Sequence, residues 1–190
     1  MCFYITTTLP ESTNIESLRN IFDRYNMAFY LINNDNLTPQ FRQGELYFRA
    51  TKEYCDCDTS LGFLNRERDY QKLLNSKKVK TLRRKKFNEA EIDEWIRKKL
   101  QKKSPHIKKT ITERERQLDI ERWKNFILDV LNSKKVSHIG ILKHWYKYGL
   151  QEEEIILKRT EKMNIDEIKI EFLLNLEEDV LYEFFPRYDY

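Results

Sequence analysis

Three cysteines carry most of the reactive chemistry this chain can offer. Cys2 lies near the N-terminus, and Cys55 and Cys57 fall in the run Tyr54-Cys55-Asp56-Cys57-Asp58-Thr59-Ser60-Leu61-Gly62. Brought to one place, three thiols would hold a soft metal ion, react, or simply fill a core. A structural zinc ion takes four Cys or His ligands, a number met by Cys2, Cys55 and Cys57 together with His138 or His144. The Cys-x-Cys spacing is less typical of zinc than Cys-x-x-Cys. As a nucleophile, Cys57 is poorly served, because the neighbouring Asp56 and Asp58 raise its pKa. Cys2 would become an N-terminal nucleophile only after removal of Met1, which conflicts with a place inside a strand. The plain alternative is three small buried residues at a tight turn.

Whether the sulfurs meet depends on the elements around them. Residues 2–8 are β-branched and aromatic and stop at Pro10, which reads as a strand. Thr13 and Glu16 have capping-box spacing, and Ile15, Leu18, Phe22 and Tyr25 recur at helical intervals over 13–25. Met27–Ile32 reads as a second strand and Leu46–Thr51 as a third. A right-handed crossover makes the first two strands parallel, and the return makes the third antiparallel to both. The end of the third strand then lies beside the start of the first, so topology brings Cys55 and Cys57 to Cys2. This fails if the third strand lies beyond the second.

The middle of the chain reads as charged helices: one over 64–75, one capped by Asn88 and Glu91 with Ile92, Trp95, Ile96 and Leu100 inward, and one from Thr112 to about 132. The last carries Ile120, Trp123, Ile127 and Val130/Leu131 on one face, and Ser104-Pro105 separates it from the helix before. Residues 136–148 are apolar on both faces, as an interior strand would be, and a turn at Gly149 into 153–162 makes the two runs read as a hairpin. Asn164 and Glu167 would then cap a final helix with Ile168, Phe172, Leu173, Leu176, Val180 and Phe184 inward, ended by Pro186. The expectation is one α+β domain over 1–190. It has a β-α-β-β opening of ferredoxin-like tendency, a helical insertion over 64–132, and a C-terminal β-hairpin plus helix in the same sheet.

The opening Met1-Cys2-Phe3-Tyr4-Ile5-Thr6 with Leu9-Pro10, and the segment Cys55 to Gly62, resemble a group of uncharacterised bacterial proteins. These begin with Met-Cys-aromatic and carry a Cys-Asp-Cys-Gly-Thr-x-x-Gly segment. The resemblance spans about the first 62 residues and, loosely, His144-Trp145-Tyr146 and Glu177–Phe184. It implies that the cysteines belong to the fold, and it names no activity. Asp58 stands where the group has glycine, so a turn needing positive φ would be strained here.

Charge is unevenly spread. The net charge is +4, yet residues 77–109 hold fourteen Lys/Arg against four Asp/Glu, and residues 150–190 hold five against twelve. Within the basic stretch, Lys80, Arg83, Arg84, Lys85, Lys86, Arg97 and Lys98 are the candidates for tracking a phosphate backbone. A solvated helical hairpin balancing the acidic end explains the same residues, as does the lysine bias of AT-rich genomes. With four Gly, no glycine-rich nucleotide loop is present, and there is no paired-acid motif, nucleophile elbow or His-Glu-x-x-His. His106 falls in a loop. His138 and His144 lie roughly 20 Å apart along one strand, at about 3.3 Å per residue, so they cannot share a metal. No apolar run spans a membrane, and three cysteines without an export signal imply a reducing cytoplasm. The resulting expectation is a non-enzymatic binding or regulatory protein whose basic helices contact nucleic acid or an acidic protein surface. The alternative is a zinc- or thiol-dependent enzyme built on Cys2, Cys55 and Cys57.

Overall fold

Six short strands build a mixed sheet. In a computed structural model, which describes residues 2–103 and 112–187, its strands are β1 (Cys2–Pro10), β2 (Tyr30–Leu31), β3 (Glu45–Arg49), β4 (Ile139–Tyr146), β5 (Arg159–Asn164) and β6 (Val180–Phe185). Their order across the sheet is β2-β3-β1-β4-β6-β5, with every neighbouring pair antiparallel except β5 and β6. The helices are α1 (Ile15–Arg24), α2 (Ser60–Leu74), α3 (Lys77–Arg84), α4 (Glu89–Lys103), α5 (Glu113–Asn132) and α6 (Ile170–Leu174). The fold is α+β.

The main core lies between one sheet face and the helices. Leu18 and Phe22 of α1, Leu61 of α2, and Ile120, Trp123, Phe126, Ile127, Val130 and Leu131 of α5 meet Ile5, Leu9, Phe48, Ile139, Ile141 and Phe184. The helical stripe expected of α5 is thus wholly inward, and its Thr112–Glu115 capping box is present. On the opposite face no α-helix among the described residues covers the sheet. There Ile32, Leu37, Phe41 and Ile155, from segments between elements, cover Tyr47, Leu142, Tyr146 and Leu181.

Several sequence expectations need correction. Asn14, not Thr13, caps α1, its side chain accepting from the Ser17 amide. The second strand shrinks to Tyr30–Leu31 because it is a sheet edge with both side chains exposed. Residues 136–148 and 153–162 do not form a hairpin: β5 sits at the far edge, paired in parallel with β6. The intervening segment docks on the open face instead. The Asn34 side-chain amide donates to the Leu150 and Glu153 carbonyls, and Gln40 bonds Ile155 and Leu157. The expected long final helix is also absent. Its Asn164–Glu167 box caps a single 3-10 turn, α6 ends at Leu174, and Val180–Phe185 is a strand. The reason lies in the spacing: residues 168, 172, 176, 180 and 184 recur every four positions, which fits one face of a helix and one face of a strand alike.

Candidate metal centre and basic surface

β3 lies between β2 and β1 and runs antiparallel to β1, with Arg49 opposite Thr6. Chain leaving β3 therefore returns along the first residues of β1. Past the end of β3, two amides of β1 find side-chain acceptors instead of a strand. Phe3 N–H donates to Cys57 Sγ at 3.2 Å and Ile5 N–H to Asp56 Oδ2 at 2.8 Å. The sulfurs of Cys2, Cys55 and Cys57 come together, all within 4.8 Å of one another. Cys55 and Cys57 are buried, Cys2 is half-buried, and no disulfide joins them. Phe3, Tyr4 and Trp145 pack around them, with the Phe3 and Trp145 rings 4.5 Å apart edge to face.

Asp56–Asp58 is a right-handed 3-10 turn, so the strain expected of Asp58 in place of glycine does not arise. Gly62 is the glycine this corner needs. Thr59 ties the turn to α2 by donating to the Asp56 carbonyl and accepting from the Gly62 amide. The helix start is then fixed to α5, with Ser60 N–H on Asp119 Oδ2 at 2.6 Å and Ser60 Oγ on the Arg116 carbonyl at 2.6 Å.

Burial shifts the acids of the corner toward their protonated forms. The Cys57 thiol is pushed up by its hydrogen bond with Cys55 and by burial. Burial and the nearby Cys55 do the same for Cys2. Burial also raises Tyr4 to about 12, Cys2 adding to the effect. Such thiols are weak nucleophiles, whereas a soft cation would replace their protons directly. Asp56, with Arg49 Nε 3.8 Å away, is raised to about 7, burial outweighing the Ile5 amide and the Arg49 charge.

A raised carboxyl has a definite consequence for stability. Between the ordinary value of 3.8 and about 7, folded Asp56 holds a proton that the unfolded chain has lost. The stability this confers is complete below the lower value and is lost as pH rises through the upper one. Asp56→Asn in the metal-free protein is therefore expected to flatten the fall in unfolding free energy between about pH 4 and pH 7. Urea titrations at stepped pH measure the slope, and an unchanged slope would assign it to another group.

Neither histidine joins the sulfur cluster. His138, just before β4, bonds Glu45 at 2.7 Å toward the other end of the strand. His144 bonds Asp179 at 2.5 Å, and its Nε2 lies 3.7 Å from Glu153. His106 lies outside the described residues.

The basic stretch folds on its own small core. Val79 and Leu82 of α3 and Ile92 and Ile96 of α4 are buried together, with Tyr70, Leu73 and Leu74 of α2 packed against them. The Asn88–Glu91 box expected at the start of α4 is formed by reciprocal bonds. Three of the seven proposed contact residues are engaged by carboxylates: Arg83 with Glu89 at 2.8 Å, Arg97 with Asp93 at 2.8 Å and Lys98 with Glu94 at 2.7 Å. Lys80, Arg84, Lys85 and Lys86 are exposed and have no ion-pair partner among the described residues. Arg84 and Lys85 fall at the C-terminal end of α3, where the helix dipole favours cations.

Among the described residues, no helix is long and apolar enough to cross a membrane. Comparison with protein-family models, with curated proteins and with solved structures returned no match for the chain.

Proposed function

We propose that the protein is a non-enzymatic binding protein whose α3 and following turn contact the phosphates of a nucleic acid. One observation carries this reading: Lys80, Arg84, Lys85 and Lys86 stand exposed on a separately packed helical unit, without the carboxylate partners that engage Arg83, Arg97 and Lys98. Phosphate neutralisation by such side chains gives affinity without base readout. Reading of bases by α4 is disfavoured, because its first turns carry Glu89, Glu91, Asp93 and Glu94. An acidic protein surface is the other partner these cations suit.

Fluorescence anisotropy with a labelled duplex and a labelled single strand tests the reading. Four phosphate contacts predict a fall in log K with log salt of slope roughly −3 to −4. Reversing Lys80, Arg84, Lys85 and Lys86 to Glu should abolish binding, whereas Arg97→Gln with Lys98→Gln should change it less than about threefold, the side chains being already paired. Equal losses from the two sets would refute the assignment.

A second reading has its own observation. The three clustered sulfurs, with the Phe3 amide on Cys57, suit a thiolate-held zinc ion as a structural staple. Among the described residues the cluster offers three protein ligands, so a fourth position would fall to water or a further oxygen donor. The raised thiols disfavour nucleophilic catalysis, and an ion must displace their protons to bind.

A further inference from the structure

A second group of ligating side chains lies on the open face of the sheet, remote from the sulfurs. Glu45 opens β3, His138 precedes β4 and Glu183 belongs to β6, and the register sets them side by side: Pro10 opposite Glu45, Gly140 opposite Glu183. One carboxylate oxygen from each glutamate and an imidazole nitrogen lie within 4.8 Å of one another. The three side chains are almost completely enclosed, at 2%, 2% and 3% exposure for His138, Glu45 and Glu183.

The hydrogen bonds of the group do not complete it. His138 Nε2 meets Glu45 Oε1 at 2.7 Å, and Arg42 meets Glu183 Oε2 at 3.0 Å. Glu45 Oε2 is buried with no hydrogen-bond partner among the described residues. A buried carboxylate oxygen left so is costly, and nothing in the strand pairing requires it. The imidazole is meanwhile oriented from behind, with Ser137 Oγ 2.9 Å from Nδ1. That contact aims Nε2 at the two carboxylates, as an outer partner does for a ligating histidine.

We infer that Glu45, His138 and Glu183 form a divalent transition-metal site, with Arg42 as the exchangeable cation that holds it in the ion's absence. One imidazole and two carboxylates suit Mn²⁺, Fe²⁺ or Zn²⁺ better than a thiophilic ion. Ligands about 2.1 Å from an ion lie roughly 3–4 Å apart, so closure needs about an ångström of side-chain movement. The ion would take both the Nε2 lone pair and the orphaned Glu45 oxygen. With the ion on Nε2, the single proton of the neutral ring sits on Nδ1 and donates to Ser137 Oγ. Arg42 is 43% exposed on its side chain, with its guanidinium 5.7 Å from the Phe185 ring centre. It therefore has a path to water, and its withdrawal opens the way in.

Mn²⁺ titrated into the full chain, followed by ring ¹H–¹⁵N spectra, tests this, since the sequence has three histidines to resolve. The His138 signals should broaden first, at one equivalent, while His106 and His144 keep theirs. Glu183→Gln should weaken binding at least about tenfold. Arg42→Gln, a change at a part-exposed side chain, should strengthen it by about tenfold, because a competing cation is gone. Broadening of His144 first, equal broadening of all three, or an Arg42→Gln affinity at or below that of the unaltered protein would overturn the inference. This site shares no residue with α3 or with the cysteine corner, so its failure leaves both earlier readings untouched.

Discussion

Cobalt(II) added to the reduced protein is expected to give an intense near-ultraviolet thiolate-to-cobalt band that saturates at one equivalent and is displaced by zinc. Sulfurs already gathered within 4.8 Å need little ordering to bind, so little of the binding free energy is spent on preorganisation. The proton linkage is steep. Cys2 and Cys57 are held protonated by burial and by their hydrogen-bonded neighbours, and each proton displaced makes the apparent affinity climb by about tenfold per pH unit. Free zinc at a thousand times its dissociation constant would stabilise the fold by about 4 kcal/mol. Cys57→Ser should remove the band and that stabilisation together. A carboxylate–imidazole site gives cobalt no thiolate band, so this signal reports the sulfur corner alone. A reduced, folded protein that shows no band would leave the corner as packed thiols and nothing more.

Gly62→Ala should be the most damaging single methyl in the cysteine corner. A Cβ at this position would stand 1.9 Å from the Asp56 carbonyl oxygen and 2.8 Å from its carbon. Both are backbone atoms, so no rotamer change relieves the contact. Either the 3-10 turn moves away from α2 or α2 moves off α5, and both routes break bonds: Thr59 to Asp56, or Ser60 to Asp119 and Arg116. The cost should reach about 2–3 kcal/mol, read as a lowered urea midpoint with unchanged m-value. The displaced turn should also weaken cobalt binding at the sulfurs by at least about tenfold. Gly149→Ala is the control, since a Cβ there meets nothing nearer than a Glu152 side-chain oxygen at 3.7 Å. Comparable losses from the two substitutions would mean that close approach is not what Gly62 provides.

Much of the fold was written locally. β1, the Asn88–Glu91 and Thr112–Glu115 caps and the inward stripe of α5 each follow from residues within a few positions of one another. The meeting of the sulfurs was legible too, because three strand directions and one crossover hand leave few places for the chain after β3. Even the pairing of Arg97 with Asp93 and of Lys98 with Glu94 lies in their four-residue spacing.

What tertiary structure alone decided is set by partners far apart in sequence. Apolar residues at every fourth position between 168 and 184 suit either a helix or a strand, and only the open edge of β4 makes Val180–Phe185 a strand. Ile155 and Leu157 alternate like strand residues, yet Asn34 and Gln40, over a hundred positions earlier, hold their segment on the sheet face. Glu45, His138 and Glu183 carry no common motif and become neighbours only through register across four strands. A sequence specifies short-range hydrogen bonds directly, whereas cross-strand neighbours exist only once every strand has found its place.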